Sequence, residues 1–220
     1  MNGALPSAAV RAILFLLICV FLGQGGCLSV SDGSLPYSNG HLYGVEENTL
    51  YANKGTRSEP KVYAVAEYHD PAGFVSKRSD DIYTANEVTM ICRGYEVTRA
   101  EETGDGLSCI NVTAAAKTPA ELMETVVPYY TRTNKDGSTV VPVQLEGISE
   151  NGLRFMGLYD TAGNTHEGVY SRSLICYVEA NHGCCILVMP NFEAESEDLL
   201  PSPEYMLELT KTVITGLTIR

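Results

Sequence analysis

Residues 184–190, Cys-Cys-Ile-Leu-Val-Met-Pro, run without a charged or strongly polar side chain. A strand with one face in water alternates apolar and polar residues, so an unbroken apolar strand has to be covered on both faces. The stretch VYSRSLICYVEA, residues 169–180, leads into it through Asn181-His182-Gly183. That turn composition makes the two runs a hairpin. A fold for this chain must therefore put 184–190 at the centre of an antiparallel sheet, with material on both sides.

The neighbouring segments supply candidates for that material. YEVTRAEET and LSCINVTAA flank Gly104-Asp105-Gly106 and read as a further hairpin. Thr118, Pro119 and Glu121 form a capping-box start for a helix whose Leu122, Met123 and Val126 share a face, with Pro128 expected to end or kink it. In TVVPVQLEGI, residues 139–148, Pro142 predicts an edge strand or a bulge. Asn151-Gly152 is a hairpin turn into LRFMGLYD. A final helix has Ser202 as cap, Pro203 in first position, Gly216 as stop, and a stripe of Met206, Leu209 and Val213. Residues 41–69 hold shorter strand-like pieces, HLYGV, TLYAN and KVYAVAEY, and the polar stretch HDPAGFVSKRSDD reads as a break after them.

The expected fold class is α+β: an antiparallel sheet packed by two or three helices. The expected organisation is a signal peptide over 1–26, a flexible tether over 27–40 and a single domain over 41–220, with its core at 95–220 and a strand-rich extension at 41–94. From residue 95 the order is hairpin, helix, four strands, helix, closing on Gly216-Leu217-Thr218-Ile219. That order resembles the PsbP-like family of small α/β sandwiches. The resemblance implies a small exported domain and, because that family is functionally mixed, no particular activity.

Export is argued independently by the N-terminus. Ala12–Leu22 is an apolar run preceded by Arg11 and followed by Gly23, Gly25 and Gly26, the layout of a secretory signal. A bilayer span needs about 20 apolar residues, which this run does not reach. Gly25-Gly26-Cys27 resembles the end of a bacterial lipobox, with Gln24 where Leu is usual and Leu22 two residues further back. Two outcomes follow: lipid attachment at Cys27, with the Ser/Gly-rich stretch after it as tether, or plain secretion with cleavage after Gly25.

Several motifs tempt and fail. Asp160-Thr161-Ala162-Gly163-Asn164 is similar to a loop of small GTPases, but that chemistry needs G-x-x-x-x-G-K-[ST], and no Gly-Lys pair occurs in the chain. No GTP binding is expected, and the segment reads as a polar turn. Cys176, His182, Cys184 and Cys185 resemble a zinc set, yet adjacent strand residues point to opposite faces, so Cys184 and Cys185 cannot share an ion. With a two-residue turn at Asn181-His182, Cys185 faces Val178 and Cys176 faces Leu187. Cys176 and Cys185 are then diagonal neighbours at roughly 7–8 Å, too far for a disulfide. A pair between Cys92 and Cys109 remains possible. If Cys27 is lipidated and Cys19 leaves with the signal, five of the seven cysteines remain, an odd number that excludes a complete disulfide framework in a monomer. Asn111-Val112-Thr113 is a glycosylation sequon relevant only in a eukaryotic source.

A net charge of -12 argues against nucleic-acid and anionic-lipid partners, which need clustered cations. No metal, cofactor or catalytic constellation emerges. The sequence therefore points to an exported envelope protein, lipid-anchored at a membrane or simply secreted or periplasmic, acting as a non-catalytic binding or assembly module. The alternative is a secreted hydrolase whose site is assembled from distant residues.

Overall fold

The computed structural model describes residues 33–38, 41–43, 45–56, 59–85, 88–100, 107–133, 136–159, 164–166 and 169–220. In chain order the strands are β1 (Tyr37–Ser38), β2 (His41–Leu42), β3 (Thr49–Asn53), β4 (Val62–Tyr68), β5 (Phe74–Ala85), β6 (Val88–Arg99), β7 (Leu107–Ala115), β8 (Arg132–Thr133), β9 (Thr139–Val140), β10 (Val143–Ile148), β11 (Arg154–Tyr159), β12 (Asn164–His166), β13 (Val169–Ala180), β14 (Cys184–Ala194) and β15 (Leu217–Ile219). Helix α1 (Pro119–Tyr130) lies between β7 and β8, and α2 (Pro203–Ile214) lies between β14 and β15.

A large antiparallel sheet runs β10-β11-β13-β14-β7-β6-β5, with short β12 also beside β13. A second sheet runs β15-β4-β3. The molecule is thus mostly β, which corrects the expected α+β, PsbP-like sandwich. The physical reason lies in two segments. The Tyr-rich pieces at 41–69 are not an extension. They recruit β15 into a sheet whose Leu50, Val65 and Ala66 share one core with Val97, Ile110 and Ile186 of the large sheet. The stretch read as a break, residues 69–81, contains most of β5, a long edge strand whose exposed Lys77 and Arg78 blunt the sheet edge against further pairing.

The 184–190 strand is central, between β13 and β7, and covered on both faces. One face, here the closed face, carries Cys176, Cys184, Ile186 and Val188 against the small sheet and the Met206, Leu209, Val213 and Ile214 stripe of α2. The other face carries Ile175, Tyr177, Cys185 and Leu187 against Leu122, Met123 and Val126 of α1. Both helices start as their sequences require. Thr118 Oγ1 accepts from the Glu121 backbone N–H at 3.3 Å, while a Glu121 carboxylate oxygen accepts from the Thr118 N–H at 2.7 Å. Ser202 Oγ accepts from the Tyr205 N–H at 3.3 Å. Pro128 does not end α1, which runs on to Tyr130. It sits in the last turn and its carbonyl accepts from Thr131.

The β13–β14 turn differs from the two-residue form expected. It spans Asn181–Gly183, with His182 at φ 59° and Gly183 at φ 62°. Ala180 therefore faces Cys184 and Cys176 faces Val188, one position from the expected register. A non-glycine residue in the left-handed region is uncommon, though histidine is among those that enter it more often. The His182 carbonyl accepts from Lys54 Nζ at 2.6 Å, and its ring stacks on Tyr63 at 4.6 Å between centroids.

Candidate functional site

α1 covers only part of its face of the large sheet. Beside its first residue, Pro119, a groove opens over β10, β11 and β13, with a cavity of about 390 Å³ lined by Glu146, Ile148, Arg154, Met156, Tyr177 and Glu179 among others. The register explains this gathering. Glu146 pairs with Met156 and Met156 with Tyr177, so those three stand in one cross-strand row. Ile148 pairs with Arg154, and continuing the β11–β13 register brings Glu179 beside Arg154 in the next row on the same face. One further device shapes the rim: a Cβ on Gly147 would lie 2.5 Å from the Phe155 ring, so glycine there lets that ring cross the edge strand.

Tyr177 is fully buried, and its hydroxyl has no hydrogen-bond partner among the described residues. Burial pushes this hydroxyl up and Cys185 adds to the shift, so it stays a neutral O–H able to donate and accept. An unsatisfied buried hydroxyl costs about 1–3 kcal/mol. Glu146, Arg154 and Glu179 lie open to solvent and form no ion pair with one another or with other described residues. The groove therefore offers an apolar wall (Met156, Ile148), a guanidinium with free donors, two free carboxylates and a buried phenol.

The groove continues onto β10, which among the described residues ends the large sheet and pairs only with β11. Its Val143 and Ile148 are 53% and 62% exposed, and Val141 just before it is 53% exposed. Pro142 supplies no N–H, so the usable edge begins at Val143.

The residues singled out from sequence fare differently. Cys184 lies in the core of the closed face and Cys185 in that of the groove face, as strand alternation requires, so the zinc-like set is not brought together. Among the described residues no cluster of His, Cys, Asp and Glu could hold a metal ion. Burial pushes the Cys176 thiol up to about 12 and raises Cys185 as well, which makes both poor nucleophiles. Cys184 is raised too by burial, against the pull of Lys54, and its partner is the His182 carbonyl rather than the ring.

Cys109 forms no disulfide among the described residues. β6 pairs Gly94–Val97 with Ile110–Thr113. Continuing that register sets Cys109 beside Thr98 and Cys92 beside Ala115, about 20 Å apart along the strands. The structure does not bring the suggested Cys92–Cys109 pair together. Asn111 lies in an interior strand between Met189 and Glu96, not in a loop. Cys27, the apolar run 12–22 and residues 160–163 lie outside the described residues. Among the described residues no helix is long and apolar enough to cross a membrane.

Sequence reading missed Glu146, Arg154, Tyr177 and Glu179 as a group. The signal that could have found them was the β10–β11–β13 register, which puts three charged residues from three strands on one face. Comparisons with protein-family models, with characterised proteins and with solved structures find no match to this chain.

Proposed function

We propose that the chain is an exported cell-envelope binding module, held at a membrane by a lipid on Cys27, that takes its partner at the α1-side groove and the adjoining β10 edge. The observation that carries the binding reading is the contrast between the two edges of one sheet. β5 carries exposed Lys77 and Arg78 next to Val75, while β10 carries exposed Val143 and Ile148, with Glu146 but no cation, beside an open groove. Charged edges deter strand pairing, and apolar open edges invite it. The inert buried thiols favour binding over thiol chemistry, and both groove carboxylates face solvent rather than a closed acid–base pocket. The anchor rests on the signal layout and on Cys27 at its exit.

Intact-mass analysis with detergent phase partition tests the anchor. Wild-type protein from a bacterial host should begin at Cys27, carry acyl mass and enter the detergent phase, because two acyl chains hold where one does not. Cys27→Ser should stay unprocessed or appear in the aqueous phase. Wild-type protein lacking acyl mass and remaining aqueous would remove the anchor and leave export alone. The hydrolase alternative is tested separately: turnover of ester, peptide or glycoside substrates that disappears in Glu146→Gln and Glu179→Gln would replace the binding reading.

A further inference from the structure

We infer that the partner is an extended polypeptide segment that adds to β10 as an antiparallel strand and carries a basic residue opposite Glu146. This deepens the binding reading above and rests on it.

Four observations converge. Among the described residues β10 pairs on one side only, and its residues are mostly exposed or half-exposed, so its outer backbone groups face no described strand and can take a further one. The opposite edge, β5, is protected by cations while β10 is not. The register then fixes what an added strand would meet. Val143, Leu145 and Gly147 lie on the closed face with their partners Tyr159, Gly157 and Phe155, while Gln144, Glu146 and Ile148 lie on the groove face with Leu158, Met156 and Arg154. Lastly, the edge strand itself is one-sided in charge, the groove's cation being Arg154 on the neighbouring β11. β10 carries Glu146 and no cation, Glu150 follows it, and the chain has a net charge of -12.

Opposite residues of an antiparallel pair share a face and sit about 4.5–5.5 Å apart at Cβ. Read in its own direction, the added segment needs an apolar residue opposite Ile148, a free position over Gly147, a Lys or Arg opposite Glu146, an apolar residue opposite Leu145, a polar one opposite Gln144 and an apolar one opposite Val143. The basic side chain lies on the groove face, where its ammonium meets Glu146. A second copy of this chain fits less well, because two copies would bring together surfaces of the same strongly negative sign.

The test uses the full chain, a fluorescent peptide Gly-Ser-Val-Ala-Lys-Val-Thr-Val-Gly-Ser, and the same peptide N-methylated at alternate amides. The expected result is saturable binding, with backbone amide shifts in the NMR spectrum confined to Val143–Ile148 and the adjoining β11. N-methylation should weaken binding about tenfold or more, because it removes strand hydrogen bonds without altering side chains. Glu146→Gln should weaken it about fivefold and Glu146→Lys about twentyfold. Because Glu146 is exposed, both variants should fold as wild type, which their own spectra would verify. Benzamidine serves as the control probe of the groove alone. If benzamidine shifts the Met156 methyl and Tyr177 ring signals while the peptide leaves β10 untouched, the polypeptide inference is overturned and the groove reading stands. If neither perturbs β10 or the groove, both are overturned. Peptide binding mapped to α2 or to the small sheet, or insensitive to N-methylation, also overturns it.

Discussion

The two faces of the large sheet are covered by different means. On the closed face a three-stranded sheet and α2 together bury Leu50, Val65, Ile110, Ile186, Met206 and Val213 in one continuous core. On the groove face α1 works alone, with Leu122, Met123 and Val126 over Tyr177, Cys185 and Leu187. Both helices have twelve residues, an oxygen-bearing cap and proline in first position. Local chemistry therefore does not separate them. What differs, among the described residues, is that α2 shares its core with the small sheet while α1's core holds no strand of that sheet, and the groove face keeps an opening over β10 and β11. A capped amphipathic helix says that a face is covered, but not how much of it.

The largest effect should come from breaking the closed face. Leu209 is 5% exposed and belongs to the shared core. Leu209→Asp buries a carboxyl without a partner and should cost about 4 kcal/mol, a large part of a typical domain's stability. Little soluble protein should result. A wild-type yield and urea midpoint would mean that α2 does not seal this face.

Alkaline pH should act on both faces at once. Cys176 on the closed face has its thiol raised from 9.0 to about 12 by burial, and Cys185 on the groove face is raised as well. For a group raised on folding, stability is fully present below the unfolded value and is lost as pH rises through the folded one. Stability should thus fall between about pH 9 and 12, with ionisation of the thiols in the unfolded chain drawing the equilibrium over. Chemical denaturation across that range measures it, and Cys176→Ala should flatten the slope. A slope that is the same in wild type and variant would exclude the Cys176 thiol as a cause.

A smaller change should loosen the groove face alone. Thr118→Ala removes the α1 cap and should cost about 1 kcal/mol, seen in the melting temperature. It should also speed amide exchange in the first turn of α1 without changing exchange in α2, which would separate the two faces directly. Equal loss in both helices would show that they unfold as one unit. The smallest expected effect is none. Millimolar GTP with magnesium should leave the melting temperature unchanged, because the chain has no Gly-Lys pair with which to cradle phosphate. A rise of several degrees would require a nucleotide site that reading does not allow.

Much of the groove-face helix and all of α2's stripe were legible, because capping chemistry and 3.6-residue spacing are local. The central position of 184–190 was legible for a similar reason: seven apolar residues leave a strand nowhere else to go. Three features were hidden. β5 is built from Ser, Lys, Arg and Asp over much of its length, and such a composition looks like a break because a polar edge strand keeps no apolar period. The turn at His182 adopts a backbone state that nothing in Asn-His-Gly demands, and that one residue moved the register of the whole hairpin. The candidate site depends on three strands being placed side by side, so Glu146, Arg154 and Glu179 carry no shared signal along the chain.

The pairing of β15 with β4 joins Leu217 to Tyr68 and Ile219 to Ala66, and Arg220 then bridges Glu46 and Glu67. A contact between residues so distant in sequence has to close a long loop before it returns any energy, and such contacts slow folding. The small sheet, and with it the cover of the closed face, stays incomplete until residues 217–219 reach β4. A nascent chain would therefore leave Leu50 and Val65 without their full cover until β15 has been made. The order of synthesis thus sets the order of closure: the strand that completes the small sheet is made after every strand it helps to cover.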